Sequence, residues 1–485
     1  MSFPFGWVSN WKRRKPLPFA KPKPVDPKGQ RLLGFTLDTH EPLWAPKGHS
    51  LLLAANGGGK TTCGAMPWLY SFAASERDKA VLCLDSKNGE MAIQAAEMLA
   101  RTGRKVAIID DMGVWTDLEA YRVSLNPFGA AVATFQRDPR DMVYTSENIT
   151  HAAIKEPPGG EDAKNLYFRA WPRNVIEFCI LVYAKRDVRL LIPGGVSQLL
   201  SRPDTLLQFA AIEAEEGDAY LKGLAQSIVA MSRHEHWPQH LEEAQRALRI
   251  FAPGTRLHHA GKDATISHEQ LIREGYVIFL VGPQSVMNRM GVFYALHMLA
   301  FAEALYYGAG TLRIIADEFT NCPLSSLVEM LTTLRAFGGT EVHMIAQSRS
   351  EIERRFGKRE SETIAENAVV QIWYGFSAAK EARLVSEMMG EEHALATSLG
   401  SNEELKLNTN ISLTRQKHMT PAELLAMRPD LQLIYVKGIG FILARKVGMQ
   451  NIAPFCHRVA PNKIEGGTLR ADPRITFVTP MMEAA

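Results

Sequence analysis

The chain has 485 residues, of which 46% are hydrophobic and 22% are charged, and its formal net charge is +3. This length exceeds that of one ordinary core, so we expect two or three units, or one large unit with an insertion. The composition excludes wholesale disorder, and the small net charge excludes nucleic-acid binding by bulk attraction alone. A nucleic-acid surface would have to come from local clustering or from the assembly of several copies.

The chain opens with a basic, proline-rich stretch. Residues 1–32 include the run KRRKPLPFAKPKPVDPKGQ, which cannot pack a core and favours extended, polyproline-like conformations. Two interpretations stay open, namely a solubilising tail and a docking arm for an anionic membrane surface, a nucleic acid or a partner protein. The first twenty residues hold no apolar run of the length that a secretory signal needs.

Short apolar runs alternate with longer helical patches over residues 33–185. SLLLAA (50–55), KAVLCLD (79–85) and KVAIID (105–110) predict strands, and helical patterns follow the first two of them. Strands that alternate with helices of ten or more residues indicate a parallel sheet covered on both faces.

The sequence pattern changes over residues 186–270, where helical patches replace the strand-like runs. Strand-like runs resume over residues 271–450, at 275–281, 311–317, 341–347, 368–375 and 431–438. We therefore predict an α/β fold with a central, mostly parallel sheet, built from nucleotide-binding segments 33–185 and 271–450 around an all-α inserted domain at 186–270. Residues 451–485 show no clear periodicity and are assigned to a C-terminal tail.

The cysteines and the longest apolar stretch indicate a soluble, cytoplasmic protein. The five cysteines are scattered and never stand at metal-ligand spacing, which is typical of reduced, mostly buried thiols. The apolar stretch that begins at Val292 contains His297 and Glu303, so a buried helix explains it better than a membrane span.

A glycine-rich loop follows the first predicted strand of the parallel sheet. The frame from Ala54 to Thr61, AANGGGKT, fits the phosphate loop G-x-x-x-x-G-K-[ST] except that Ala54 replaces the first glycine. Loop amides would wrap the phosphates of a nucleotide, the lysine would reach the terminal phosphates and the threonine would bind Mg²⁺. The alternative is a glycine-rich turn without a ligand. We predict that the nucleotide is held by Asn56, Gly57, Gly58, Gly59, Lys60, Thr61 and Thr62.

Acidic and amide side chains end two later strands. In LRIIADEF an apolar run is followed by Asp317 and Glu318. Asp317 suits a residue that supports Mg²⁺ together with Thr61, and Glu318 suits a general base that activates water. In EVHMIAQS the apolar run is followed by Gln347, a neutral donor and acceptor that could sense the γ-phosphate and position water. Together with the glycine loop these residues predict an ATPase whose cofactors are ATP and Mg²⁺.

At these residues the sequence resembles the type IV secretion coupling proteins, the TraG/TraD-like conjugative DNA-transfer ATPases, which are RecA-like and related to FtsK-type translocases. The resemblance also rests on CLDSKNGE (83–90), on SLNPF (124–128) and, most specifically, on the block from Asp317 to Gln347. Within CLDSKNGE, Asn88 is an extra residue before the glycine of the family's Asp-x-Lys-Gly-Glu segment. The resemblance covers roughly residues 33–450.

The resemblance implies a ring of six motor domains around a channel, with an all-α domain that receives cargo. It also implies that Arg335, in LRAFGG, reaches the ATP of a neighbouring subunit, where an arginine stabilises charge on the transferred phosphoryl group. A plain surface arginine is the alternative. Typical members carry transmembrane helices ahead of the motor, so we expect a soluble variant that the basic arm or a partner recruits to the inner membrane face.

Three functions remain open at this stage. The leading one is an ATP-driven coupling protein that feeds single-stranded DNA, with its bound relaxase, into a type IV secretion channel. The second is a coupling ATPase that recruits protein effectors, which the acidic helical segment favours slightly. The third is a weakly hydrolysing or non-hydrolysing scaffold, which the replacement at Ala54 keeps open.

The histidines of SRHEHWPQH (232–240), together with His258, His259 and His268, raise the question of a metal site. His236 and His240 would face the same way on a helix, but Pro238 lies between them and no carboxylate or cysteine stands at zinc-site spacing. We therefore favour surface histidines over a metal site.

Overall fold

The computed structural model describes residues 30–155, 163–321, 326–337, 339–401, 407–457, 459–464, 466 and 477–479. Most of the predicted N-terminal arm, and Cys322, lie outside these ranges. Cys83 and Cys179 are buried and Cys63 and Cys456 are half-buried, all with free thiols.

An eleven-stranded sheet forms the centre of the molecule. The strands of the described residues are β1 (Leu32–Phe35), β2 (Pro42–Trp44), β3 (Ser50–Leu53), β4 (Ala80–Asp85), β5 (Val106–Ile109), β6 (Val277–Val281), β7 (Leu312–Ala316), β8 (Glu341–Ala346), β9 (Val370–Trp373), β10 (Glu391–Ser401), β11 (Leu407–Lys417), β12 (Leu431–Val436), β13 (Gly440–Arg445), β14 (Ile452–Ala453) and β15 (Phe477–Val478). In space the sheet runs β2-β1-β13-β12-β9-β3-β8-β7-β4-β6-β5.

The half of the sheet from β9 to β5 is parallel throughout. Every residue of β3, β4, β6, β7 and β8 is buried, as expected for parallel strands with both faces covered. Each strand-like run predicted from the sequence forms a strand, because short apolar runs between polar turns have few other ways to bury themselves. The predicted α/β fold with a mostly parallel sheet is confirmed.

The other half of the sheet is antiparallel, and the sequence did not reveal all of it. β12 pairs antiparallel with β9 and β13, and β1 pairs antiparallel with β13 and β2. β10 and β11 form a separate antiparallel hairpin. The strands β1, β2 and β13 are short or only partly buried, so they stand out less in the sequence than the fully buried central strands.

The α-helices of the described residues are α1 (Met66–Ser75), α2 (Glu90–Arg101), α3 (Gly129–Arg137), α4 (Met142–Ala153), α5 (Ala163–Arg186), α6 (Pro193–Leu200), α7 (Pro203–Glu216), α8 (Ala219–Met231), α9 (Trp237–Ala247), α10 (His268–Arg273), α11 (Gly291–Tyr306), α12 (Ser326–Thr333), α13 (Arg349–Phe356), α14 (Lys358–Asn367), α15 (Ala379–Met389) and α16 (Pro421–Leu425). The α-helices α3 to α10 all lie between β5 and β6. The run of helices without an intervening strand therefore begins at Gly129, before the predicted boundary at 186. The long α5 contains an apolar run whose periodicity does not distinguish a helix from a strand. That residues 186–270 form a domain of their own stays a prediction.

Alternate residues of the parallel strands serve two hydrophobic cores, one on each face of the sheet. Leu52 of β3 packs in the core that α1 and α2 cover, whereas Leu51 and Leu53 pack in the core on the other face, to which α3 to α16 contribute. The apolar stretch from Val292 forms α11 and is buried as predicted. Across the described ranges, no helix combines the length and apolarity that crossing a bilayer requires.

The described part of the C-terminal tail packs on the α1 side. β14 and β15 pair in parallel, Phe455 stacks on Tyr70 at 4.7 Å between ring centroids, and Asn462 donates to Glu90 Oε1 at 2.9 Å. These contacts tie the tail to α1 and α2.

Candidate nucleotide-binding site

Three loops that carry predicted site residues meet at one edge of the sheet. β8 lies between β3 and β7, with Leu53 opposite Ala346 and Ala316 opposite Met344. Because the three strands are parallel, the loops that follow them leave at the same edge, which is where α/β sheets bind ligands. The strand order therefore brings the glycine loop, the acidic pair and Gln347 together.

The glycine loop has the backbone that close wrapping requires. Gly57 and Gly59 have φ values of 73° and 84°, in the left-handed region that glycine adopts without steric cost. A Cβ on Gly58 would lie 2.9 Å from the carbonyl oxygen of Ala55 and 3.1 Å from the Cβ of Ala54. Ala54 itself does not adopt a positive φ. The alanine therefore fits the loop without backbone strain.

The loop presents an exposed rim over a buried floor. Asn56 and Gly57 are exposed and Thr62 is half-buried, whereas Lys60 and Thr61 are buried. Lys60 opens a π-helical turn (Lys60–Ala65) that leads into α1, and such turns are frequent at functional sites. The predicted nucleotide-binding residues thus form one continuous surface at the start of a helix, where backbone N–H groups suit anions.

The acidic pair faces this floor. Asp317 and Glu318 are each about 4% exposed. Thr61 Oγ1 donates to Asp317 Oδ2 at 2.9 Å, and Lys60 Nζ lies 3.5 Å from Glu318 Oε1. Lys60 also donates to the carbonyl oxygen of Ala54 at 3.2 Å. The lysine and the threonine of the glycine loop are therefore each paired with one of the two acids.

Glu318 occupies an unusual backbone conformation. Its φ is 52°, in the left-handed region that costs a residue with a side chain about 1–2 kcal/mol. Asn321 Nδ2 donates to its Oε2 at 3.4 Å and Gln347 Nε2 donates to its Oε1 at 3.3 Å. Strained residues of this kind persist where surrounding contacts hold them, and they cluster at functional sites.

Gln347 is held on the other side by a carboxylate. Its backbone N–H donates to Glu351 Oε2 at 3.3 Å, and Thr320 Oγ1 donates to Glu351 Oε1 at 2.9 Å. Glu351 therefore links the loop after β7 to the loop after β8. The structure places Gln347 in contact with the predicted base.

Charges and burial shift the acids in opposite directions. Burial raises the pKa of Asp317 above its ordinary value, although Lys87 counteracts it. Burial also opposes the ionisation of Glu318, but Lys87 and Lys60 outweigh it, so the pKa of Glu318 lies below its ordinary value. Burial, followed by the charge of Lys87, lowers the pKa of Lys60. A carboxylate with a low pKa is ionised at neutral pH, as an acceptor of a proton from water must be.

Arg335 is the predicted site residue that this arrangement does not include. Its backbone lies in a 3₁₀ turn, Leu334–Ala336, and its side chain is outside the described part of the molecule. Its role as an arginine that reaches a neighbouring subunit stays a prediction.

Two lysines that were not predicted from the sequence also contact the site. Lys87 Nζ lies 2.8 Å from Glu318 Oε1 and 4.0 Å from Asp317 Oδ2. Lys446, which follows β13, donates from Nζ to the carbonyl oxygen of Gly58 at 2.8 Å. The segment CLDSKNGE was a signal for Lys87, but nothing in the sequence around Lys446 indicated a contact with the glycine loop.

The histidines do not assemble a metal site. In the described ranges there is no group of three or more His, Cys, Asp or Glu side chains that could hold a metal ion. The expectation of surface histidines is wrong for His240 and His268, which are buried. His240 packs against Trp171, and His268 Nε2 lies 2.9 Å from His297 Nδ1, so these two rings are part of the helical packing.

Residues 311–429 match the family model described as the TraM recognition site of TraD and TraG. We call this matched segment the TraG/TraD-type domain. This domain contains the acidic pair, Arg335 and Gln347, and it confirms the resemblance to TraG/TraD-like proteins where we considered it most specific. A comparison with curated proteins found no significant match.

The fold is similar to that of solved coupling proteins. The bacterial conjugative coupling protein TrwBdeltaN70, in a trigonal form with sulphate, matches with 16% identity over 82% of this chain and 85% of that chain, at a TM-score of 0.61. The plasmid coupling protein TrwB with the ATP analogue ADPNP matches with 15% identity over 82% and 85%, at 0.60. TrwB with ADP and Mg²⁺ matches with 14% identity over 82% and 84%, at 0.57. At these identities the likeness establishes the fold alone.

Proposed function

We propose that the chain is an ATP-driven coupling protein of a type IV secretion or conjugation system. The observation that carries the proposal is the meeting of Lys60, Thr61, Asp317, Glu318 and Gln347 at the ends of β3, β7 and β8. Each of these residues has the chemistry that ATP hydrolysis requires, and each is within hydrogen-bonding or ion-pair distance of another.

The residues fit ATP and Mg²⁺. The loop amides from Asn56 to Thr62 and the ammonium of Lys60 are donors for phosphate oxygens. Asp317 Oδ1 is buried and has no hydrogen-bond partner among the described residues, which leaves one acceptor for water held by a metal. Thr61 and Asp317 would hold Mg²⁺, directly and through its water shell, and the metal would neutralise charge on the phosphates.

Glu318 and Gln347 supply the groups that hydrolysis needs beyond binding. Glu318 accepts the proton of the attacking water. The two lysines that lower its pKa keep it ionised but weaken it as a base, and one of them, Lys60, leaves it when ATP binds. The side-chain amide of Gln347 donates one hydrogen to Glu318. Its second amide hydrogen can donate to water or the γ-phosphate, and its carbonyl oxygen can accept from water. Lys60 must exchange Glu318 and Ala54 for phosphate oxygens when ATP binds.

The coupling role rests on the TraG/TraD-type domain and on the fold shared with TrwB. The cargo we propose is single-stranded DNA with its bound relaxase, delivered to the secretion channel components. The active form is a ring of six copies, in which Arg335 of one copy completes the site of the next. The protein works from the cytoplasm at the inner membrane face, to which its basic arm or a partner recruits it. A coupling ATPase for protein effectors and a non-hydrolysing scaffold are the competing functions.

Steady-state ATP hydrolysis with and without single-stranded DNA tests the proposal. The wild-type protein is expected to hydrolyse ATP and to be stimulated by DNA. Glu318→Gln, which keeps the size of the side chain and removes the base, is expected to lower kcat about 10²–10⁴-fold. Lys60→Ala is expected to abolish hydrolysis and to weaken nucleotide binding.

The outcomes separate the competing functions. Hydrolysis that DNA does not stimulate, together with binding of a protein cargo, would replace the DNA motor by the effector-recruiting ATPase. Nucleotide binding without turnover at any protein concentration, with or without DNA, would support the scaffold. Activity that survives both Lys60→Ala and Glu318→Gln would show that hydrolysis occurs elsewhere.

A further inference from the structure

Two lysines share one oxygen of the proposed base. Lys60 Nζ lies 3.5 Å and Lys87 Nζ 2.8 Å from Glu318 Oε1. Lys60 belongs to the glycine loop, whereas Lys87 follows β4, the strand next to β7 on the side away from β3. The two cations therefore approach the carboxylate from different elements, and only Lys60 is needed to bind phosphate.

The turn that carries Lys87 is anchored by hydrogen bonds of the next residue, Asn88. Asn88 and Gly89 both have positive φ values, 57° and 69°. The backbone of Asn88 donates to Gly282 O at 3.0 Å, its Oδ1 accepts from Gln284 N at 2.8 Å, and its carbonyl oxygen accepts from Trp115 Nε1. The extra residue noted in the sequence is thus the residue that fixes the turn, and it directs Lys87 over the end of β7.

Nucleotide binding changes the balance around Glu318. When Lys60 moves to a phosphate, the carboxylate keeps the neutral contacts from Asn321 and Gln347, at 3.4 and 3.3 Å, and the charged contact from Lys87. The two amide donors are uncharged and lie beyond the usual N–H···O range of about 2.7–3.2 Å, whereas Lys87 brings a full positive charge to 2.8 Å. Lys87 is therefore the contact best able to hold the Glu318 side chain on its left-handed backbone.

We propose that Lys87 is a positioning residue that holds the Glu318 carboxylate in place for water activation after Lys60 has left it for the nucleotide. Lys87 acts through Glu318 and does not bind the nucleotide. This inference rests on the proposed ATP hydrolysis.

The test compares turnover with binding in Lys87→Met, Lys87→Arg and a control, Lys105→Met. Lys105 forms an ion pair of the same length, 2.8 Å, with Glu274, but its side chain is 54% exposed. It directly precedes β5, at the amino ends of the parallel strands, whereas the site lies at their carboxyl ends. For each protein we would measure kcat and KM for ATP, the Kd values of ADP and of a non-hydrolysable ATP analogue by direct binding, and the midpoint of thermal unfolding. If Lys87→Met does not fold, Lys87→Gln takes its place.

Lys87→Met is expected to lower kcat at least about tenfold while both Kd values change less than about threefold, because the close contact of Lys87, at 2.8 Å, is with the base, and its distance to Asp317 is 4.0 Å. Lys87→Arg, which keeps the charge, is expected to retain at least about a third of the wild-type kcat. Lys105→Met is expected to match the wild type. In a Glu318→Gln background, Lys87→Met is expected to cost nothing more, since residues that act as a unit are not additive.

Several outcomes would overturn the inference. One is a kcat for Lys87→Met within about twofold of wild type, and another is full additivity with Glu318→Gln. A loss of analogue affinity as large as the loss of kcat would make Lys87 a ligand contact instead, and an Arg variant as inactive as the Met variant would argue against a role of the charge. If wild-type protein binds and turns over ATP, these results concern Lys87 alone. If it binds no nucleotide, the proposed function fails and this inference fails with it.

Discussion

The strands β7 and β8 carry a buried cluster of charges at each end, and the two clusters are built differently. At their amino ends Arg313 forms a two-pronged ion pair with Glu76, at 2.7 and 2.9 Å, and donates to Gly339 O at 2.5 Å. At their carboxyl ends the buried lysine Lys60 lies 3.5 Å from Glu318, and one oxygen of Asp317 has no hydrogen-bond partner among the described residues.

The difference separates a cluster that stabilises the fold from one that is prepared for a ligand. Paired, planar contacts of arginine with carboxylates satisfy both charges inside the protein. Glu318 instead receives two lysines and Gln347 on a single oxygen, and Asp317 retains an acceptor. A buried polar group without a partner costs free energy, so Asp317 gains from a ligand, whereas the Arg313–Glu76 pair is already satisfied within the protein.

The largest effect on stability is expected at the amino-end cluster. Arg313→Met removes the buried arginine from Glu76 and Glu341 and, among the described residues, leaves Glu76 with only the partly exposed Lys79, which is expected to lower the free energy of unfolding by about 3–5 kcal/mol. Where the variant remains folded, its affinity for nucleotide is expected to stay that of the wild type. Denaturant unfolding and direct nucleotide binding check these two expectations.

The matched control for Arg313 is Arg140→Met. Arg140 also forms a two-pronged pair, with Asp138, but its side chain is 89% exposed, so water screens the pair. Little change in stability is expected. Equal losses of unfolding free energy in both variants would show that burial does not distinguish the two pairs. A loss of nucleotide affinity in Arg313→Met would show that the two clusters are coupled.

A smaller effect, on binding alone, is expected for Lys446→Met. Lys446 donates to Gly58 O and its ammonium lies 5.1 Å from the ring centroid of Tyr374, whose hydroxyl donates to Cys63 O at 3.0 Å. These contacts hold the glycine loop against β9 and β13. Without the lysine, nucleotide affinity is expected to fall about three- to tenfold, the worth of one hydrogen bond.

The control for Lys446 is Lys437→Met, because Lys437 is an exposed lysine at the end of the neighbouring strand β12. Titration of each variant with a fluorescent ADP analogue measures the affinity. An unchanged Kd in Lys446→Met, or an equal fall in Lys437→Met, would remove Lys446 from the site.

The comparison also shows which parts of the site a sequence can predict. Lys60, Thr61, Asp317, Glu318 and Gln347 each end or follow an apolar run, and parallel strands bring such ends to one edge. Their meeting could therefore be anticipated from the order of the runs, and so could the parallel half of the sheet.

Other contacts depend on pairings that no local pattern encodes. Lys446 reaches Gly58 only because β13 pairs with β12 and β12 with β9 in antiparallel register, and the local sequence of β13 does not encode these pairings. Lys87 stood in a quoted segment, but its contact with Glu318 follows from β4 lying beside β7. The helices between Gly129 and residue 186 were not assigned to the helical segment, because an apolar run in a buried helix resembles one in a buried strand.

The smallest effect is expected where the sequence departs from the usual phosphate loop. Ala54 lacks a positive φ, so Ala54→Gly relieves no strain and is expected to change nucleotide affinity less than about twofold. The opposite change, Gly58→Ala, would place a Cβ 2.9 Å from the backbone oxygen of Ala55 and is expected to weaken binding more than about tenfold, because backbone cannot move aside cheaply. Direct nucleotide titration compares the two. A large gain of affinity in Ala54→Gly would mean that the alanine had weakened the loop. It would also mean that the carboxyl-end cluster is less prepared for a ligand than its unsatisfied acceptor indicates.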